Sequence, residues 1–300
     1  MRLYKILIAV LLFIAVERFC HRQTEGFRLS NVQENLPPHP EWEIPSLSSE
    51  DTQHIDQLLD QPFFFFDAGF QSYVFISKDR QTILKLFKHH HLRSLPWLTS
   101  LPLPERLRNY CSQYADKRYR RFLRTFSSCT TAYTAFKEKT GLLYVHINPT
   151  DCWKKKLTIL DKIGIAHTLD LDTTQFVLQK KAERVDLQLE TLMRCGEDKK
   201  AKECLSSIID LLVEQGRQGL LNTDATIRKN MGFIDQTAII IDTGALQKHV
   251  SMLPDDLIKK QILKSSLPFR KWLKKHHPSL VPHFEKEIEN STQSHPFLEV

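Results

Sequence analysis

The apolar positions of this chain fall into three kinds of pattern. Ile6–Val16 is an unbroken apolar run of eleven residues, entered from Arg2 and Lys5 and left at Glu17, Arg18 and His21. Phe63–Phe66, Gln71–Ile76 and Thr82–Phe87 are short β-rich runs separated by Asp67-Ala68-Gly69 and by Ser77-Lys78-Asp79-Arg80, which predicts an antiparallel meander. Gly141–Ile147 adds a strand, and Lys156–Ile165 with His167–Leu178 reads as a hairpin. The third pattern is helical. Leu205, Ile208, Ile209 and Leu212 fall at i, i+3, i+4 and i+7, a single apolar stripe closed by Gly216 and Gly219. The stretch 92–140 also turns helical after its Leu-Pro pairs, and Ser48 or Ser49 caps a short helix over Glu50–Leu59. Pro37, Pro38, Pro40 and Pro45 mark 21–48 as a linker without periodicity.

Composition narrows this only a little. At 300 residues and 41% hydrophobic content the chain buries a core as one large or two small domains. The net charge of +7 gathers at Lys117–Arg124, Lys154–Lys156 and Lys271–Lys275, read as solvated faces, and no aromatic-interleaved basic motif points to a nucleic-acid partner. Six cysteines lie far apart with no zinc spacing and read as structural thiols; His89-His90-His91 reads as an exposed loop. The eleven-residue run reaches ~17 Å against a hydrocarbon core of ~30 Å. Extended to Met1–Phe19 it becomes a membrane anchor, the favoured reading because no small-x-small cleavage site follows; the alternative is an exported chain with its signal peptide removed.

Candidate chemistry concentrates in Leu220–Leu246. Asp224 stands in a polar loop, and the apolar run Ala238–Ile241 delivers Asp242 into an Asp242-Thr243-Gly244 turn, a pattern suited to holding Mg²⁺ by hard oxygen ligands. This resembles the H-R-D-x-x-x-x-N loop and D-F-G turn of the protein-kinase-like superfamily, with Asn222-Thr223-Asp224 for the first triplet and Asn230 for the asparagine. The His and Arg are absent, and Asn230 lies six residues past Asp224, one more than in that motif. Asp67-Ala68-Gly69-Phe70-Gln71-Ser72-Tyr73-Val74 is similar to the glycine-rich phosphate loop with only Gly69 kept, and Ile83-Leu84-Lys85-Leu86-Phe87 to the V-A-I-K strand. The glutamate that should pair with the lysine has no clear match; Glu105 and Glu138 are the nearest.

What this resemblance implies is an α+β, bilobal protein-kinase-like fold of an atypical, divergent bacterial type. It has a small antiparallel-sheet N-lobe and a compact, mostly helical C-lobe, preceded by an N-terminal hydrophobic helix. The expected divisions are 1–20 anchor or signal segment, 21–48 linker, 49–181 N-lobe and 182–300 C-lobe. The implied ligands are ATP and Mg²⁺. Gly69, Ser72 and Lys85 would meet the phosphates, Gln179 and Ala182 the adenine at a hinge, Asn230 and Asp242 the metal, and Asp224 the acceptor hydroxyl. Only 58 residues follow Asp242, with Met252-Leu253-Pro254-Asp255-Asp256 where an A-P-E-like signature is expected. Two functions stay open: an atypical kinase-like phosphotransferase, or a membrane-anchored pseudokinase or interaction protein without catalysis. The partners implied are nucleotide and, through the N-terminal segment, a membrane.

Overall fold

The computed structural model describes residues 2–89, 104–224, 226–249 and 252–293. They divide into two units, one running to Leu123 and resuming over Tyr144–Gln179, the other made of Arg124–Leu143 and the chain from Lys180 on.

The first unit is built on a seven-stranded sheet. Its strands are β1 (Phe63–Ala68), β2 (Ser72–Ser77), β3 (Thr82–Phe87), β4 (Leu142–His146), β5 (Lys156–Leu160), β6 (Ala166–Asp170) and β7 (Phe176–Lys180), in the order β4-β7-β3-β2-β1-β5-β6. The meander pairs antiparallel, with β1 also parallel to β5. Its second turn is fixed by Asp79, whose carboxylate accepts from Ser77 Oγ at 2.5 Å and Gln81 N at 3.0 Å, while Arg80 takes the left-handed conformation at φ 61°. These bonds, Ser77's first, hold the Asp79 carboxyl below its usual range. The hairpin expected to run through to Leu178 breaks at Asp172–Gln175, and β7 starts afresh at Phe176. Phe63, Phe75, Leu84, Leu86, Leu157 and Ile159 are all but fully buried, each worth ~1.5–3 kcal/mol of burial.

Two readings of the amino-terminal region need correction. Helix α1 (Arg2–Thr24) is present, but no helix among the described residues is long and apolar enough to cross a membrane. The physical reason is its short apolar run, with Lys5 on one side and Glu17 and Arg18 on the other inside the same helix. The single N-terminal anchor is therefore set aside. The stretch expected as a bare linker is packed: Phe27, Val32 and Trp42 are buried. Phe27 meets the rings of Tyr73 at 5.1 Å and Phe75 at 5.6 Å edge-on, and Tyr73 Oη donates to Gly26 O at 2.8 Å. After it, α2 (Ser49–Leu58) begins at a reciprocal cap in which Ser48 Oγ accepts from Asp51 N and donates to Asp51 Oδ2. His89 is also buried, its ring 5.3 Å from that of Phe122, where an exposed histidine loop was expected; His90 and His91 lie outside the described residues.

Helix α3 (Glu105–Thr140) contributes its residues from Arg124 onward to the second unit. There follow the two-residue strand β8 (Glu183–Arg184), α4 (Val185–Arg194), α5 (Asp198–Arg217), β9 (Leu220–Asn222), the single turn α6 (Ile227–Asn230), β10 (Met231–Ile234), β11 (Thr237–Ile240), β12 (Leu246–Lys248), α7 (Asp255–His276) and α8 (Val281–Gln293). The stripe Leu205, Ile208, Ile209 and Leu212 of α5 is buried as its spacing requires. Gly216 does not end that helix: it lies inside it, where an added Cβ would stand 2.6 Å from Ile258 Cγ1, and Gly219 at φ 70° makes the turn out. Leu253 is fully buried, and Pro254 immediately precedes α7. The six cysteines are free thiols, of which Cys129 and Cys204 are buried; burial pushes the Cys204 thiol up to about 11.

Candidate functional site

The second unit gathers three of the residues singled out by the sequence. β9 runs into the Asp224 loop, where Asn222 Oδ1 accepts from Asp224 N at 3.0 Å and Thr226 Oγ1 donates to Asp224 Oδ1 at 2.9 Å. α6 then turns Asn230 back, so that its Nδ2 donates to the Asp224 carbonyl at 2.6 Å. This turn absorbs the extra residue between Asp224 and Asn230, and the longer spacing still closes. The Asn230 carbonyl in turn accepts from Ile241 N at 2.8 Å and Asp242 N at 3.3 Å. Asp224, Asn230 and Asp242 are thus linked by direct hydrogen bonds through one buried asparagine.

The Asp242 turn is held from both sides. Asp242 Oδ1 accepts from Gly244 N at 3.1 Å, the local bond that makes an Asp-x-Gly turn. β12 pairs antiparallel with β9, aligning Leu246 with Asn222, and Thr223 N donates to Ala245 O at 3.2 Å. From α3, the Ser128 hydroxyl donates to the Leu246 carbonyl, and Cys129 Sγ lies 3.6 Å from Thr243 Oγ1. All three side chains are buried. The sequence reading missed Ser128 and Cys129. The run of small residues Ser127-Ser128-Cys129-Thr130-Thr131 within a helix was the signal, since small side chains let a helix approach a backbone closely.

In the first unit, Ser72 pairs with Phe87 and Val74 with Lys85, so Ser72 and Lys85 stand on one face of adjacent strands. Lys85 is partly buried between the fully buried Leu84 and Leu86. Gly69 N donates to Ser72 O at 2.9 Å, closing the loop; a Cβ on Gly69 would meet only that oxygen at 3.7 Å, an ordinary contact. The fold's own packing does not require glycine there. β1 carries a bulge at Phe66 just before this loop. The residue that holds the loop is Lys88, which the strand pattern leaves outside β3. Its Nζ donates to Gly69 O at 2.7 Å and sits 4.3 Å from the centre of the Tyr73 ring. Burial lowers the Lys88 ammonium below its usual range, against the pull of Glu25 and Asp67. Gln179 is buried on β7, and Ala182 precedes β8. Glu105 opens α3 and Glu138 lies near its end.

With its amide nitrogen spent on Asp224, Asn230 keeps its amide oxygen, and Asp242 carries a carboxylate; both are oxygen donors of the kind Mg²⁺ takes. No group of three or more His, Cys, Asp or Glu side chains placed to hold a metal occurs among the described residues, so a cation here would rely on the asparagine and on ligands from elsewhere.

No family model matches the chain, and no curated protein matches it. Among solved structures it is similar to WbdD bound to a kinase inhibitor, at 14% identity and a TM-score of 0.36 over 75% of this chain and 45% of that one. A second structure, of the bifunctional kinase-methyltransferase WbdD, matches at 14% and 0.33, over 73% and 43%. The complex of Rv3197 with erythromycin from Mycobacterium tuberculosis matches at 15% and 0.34, over 94% and 75%. The chain spans less than half the length of these WbdD chains. Likeness at such TM-scores carries no argument about chemistry.

Proposed function

We propose that this chain is an atypical kinase-like protein that binds ATP with Mg²⁺ and transfers a phosphoryl group to an acceptor hydroxyl. The observation that carries the reading is the linkage of Asp224, Asn230 and Asp242 through one asparagine in the second unit. Asp242 and Asn230 would hold the metal, which supplies charge neutralisation on the phosphates when bound. Asp224, exposed at the loop, is proposed to orient the acceptor and take its proton. In the first unit Lys85, Ser72 and Gly69 are the proposed phosphate-binding residues, and the room left above Gly69 favours close approach to its backbone. The Gln179–Ala182 backbone is proposed for adenine.

A second reading, nucleotide binding without transfer, is favoured by one observation: Asn222 and Thr223 stand where the kinase-like catalytic loop carries its His and Arg. The test separates the two. Titrating the full chain with ATP and Mg²⁺ should raise the melting temperature, by the equivalent of ~2.7 kcal/mol at a hundredfold excess over Kd. Label should then pass from γ-labelled ATP to an acceptor or to water in the first case and not in the second. No thermal shift at millimolar nucleotide removes both readings.

A further inference from the structure

Residues 38–47 run past the end of the edge strand β4 as a strap, to which Asn148 bonds at His39. His39 N donates to Asn148 Oδ1 and Asn148 Nδ2 donates to His39 O, both at 3.0 Å. The chain leaving β4 is fixed separately by Asp172, which accepts from Thr150 Oγ1 at 2.7 Å, Trp153 N at 3.0 Å and Lys154 N at 2.7 Å. Burial disfavours this carboxylate, but the three bonds outweigh it and hold its pKa below the usual range. Between strap and loop lies a cavity of about 660 Å³, within the size range of small-molecule sites.

Its walls are chemically specific. Trp42, Tyr144, His146 and Trp153 contribute rings, and Pro38 and Pro45 contribute flat apolar faces. The rings are braced: Trp42 stacks on His39 at 4.8 Å, Tyr144 meets Trp153 edge-on at 5.3 Å, and His146 stacks on Phe176 at 5.0 Å. Burial keeps His146 neutral at physiological pH, although Thr174 and Asp172 pull the other way. No lysine or arginine lines the cavity, and Glu43 is its one charged residue. An anion therefore has nothing to pair with.

We propose that this cavity is a binding site for an uncharged, planar aromatic small molecule. Ring walls favour a flat apolar body, and the lack of cations selects against phosphates and carboxylates. None of the residues proposed for nucleotide or metal lines the cavity, so this inference stands apart from the kinase-like reading.

The probe is a fluoronaphthalene, titrated into the full chain by fluorine NMR. Saturable binding is expected, and Cys152→Trp, which places a ring at the exposed rim, should weaken it by about tenfold or more. A fluoronaphthalene carboxylate, with the same flat body but anionic, should bind about tenfold more weakly. If Cys152→Trp disturbs the melting temperature, Ser46→Trp on the strap replaces it as the blocking variant. Absence of saturable binding overturns the proposal. Binding that a folded blocking variant leaves unchanged also overturns it, since the probe then sits elsewhere, as on the exposed apolar side chains of α1. Equal affinity for the two probes overturns the selection against anions.

Discussion

The Asp224–Leu246 loops and the Asp67–Lys88 loop are assembled by opposite means. In the former, the bonds that shape each turn join residues close in sequence: Asn222 to Asp224, Asp224 to Thr226, Asn230 to Asp224, Asp242 to Gly244. In the latter Gly69 N closes locally on Ser72 O, but the side chain that holds the loop is Lys88, nineteen residues beyond Gly69, while the Tyr73 next to the loop is tied to Gly26, forty-seven residues before it. A loop of the first sort writes its geometry into residue spacing. A loop of the second sort borrows its geometry from side chains that no local pattern identifies. The contrast can be broken or sharpened by substitution on each side.

The largest effects belong to the acidic pair. Asp224→Asn should lower turnover by about a hundredfold or more while leaving nucleotide affinity intact, because a lost proton acceptor acts in the transition state. Asp242→Asn should instead weaken Mg²⁺-nucleotide binding. Steady-state kinetics alongside nucleotide titration distinguishes them. If both substitutions leave affinity unchanged and lower the melting temperature alike, the two aspartates are turn residues only, and the linked cluster has no catalytic meaning.

Next in size is a pair of glycines. A Cβ on Gly232 would stand 2.7 Å from the Glu183 carbonyl, a backbone atom in the strand paired beside it, whereas one on Gly69 meets nothing closer than 3.7 Å. Gly232→Ala should therefore cost about 3 kcal/mol in denaturant unfolding. Gly69→Ala should change stability by less than about 0.5 kcal/mol and act on nucleotide affinity alone. A large stability loss at Gly69 would mean that its loop is packed as tightly as β10.

A smaller effect is expected from acid. The His146 pKa is lowered in the folded protein, chiefly by burial. Below its ordinary 6.5 the unfolded chain takes up a proton that the folded chain resists, so the contribution is complete above pH 6.5 and is lost as pH falls through the folded value. The slope is at most one proton's worth, ~1.4 kcal/mol per pH unit. His146→Gln should flatten the stability profile in this window, measured by urea unfolding across the acid range. An unchanged profile would show that the loss arises elsewhere.

How much was legible follows the same division. The meander, the α5 stripe and the Asp224–Asn230–Asp242 grouping could be read because periodicity and short-range turns encode them. The α6 turn brings Asn230 back to the Asp224 carbonyl across six residues. The strap at 38–47 could not be read. Prolines and polar residues look like a linker until Asn148, more than a hundred residues away, pins His39 and Trp42 is buried. The N-terminal run misled for a different reason: eleven apolar residues signal a membrane segment by composition, while length and the flanking charges decide whether a helix can cross one.

The smallest expected effect bears most directly on the comparison. Lys88→Met removes one hydrogen bond to Gly69 and a contact with the Tyr73 ring, but also a charge that burial penalises, so the net change should stay below ~1 kcal/mol. Its sign with pH is fixed. Because the folded pKa lies below the ordinary 10.5, the unfolded chain holds the proton more tightly, and wild-type stability gains as pH rises from the folded value towards 10.5. The methionine variant lacks that gain, so the wild-type advantage should grow with alkalinity. Tyr73, whose own pKa is raised by burial, titrates in the same range, and Lys88→Met must therefore be compared in a Tyr73→Phe background as well. Nucleotide affinity provides the second reading. Lys85→Met should weaken it more than Lys88→Met if Lys85 meets the phosphates and Lys88 only holds the loop. The reverse order would exchange the roles of the two lysines, and the distant residue that shapes the loop would also be the one that binds there.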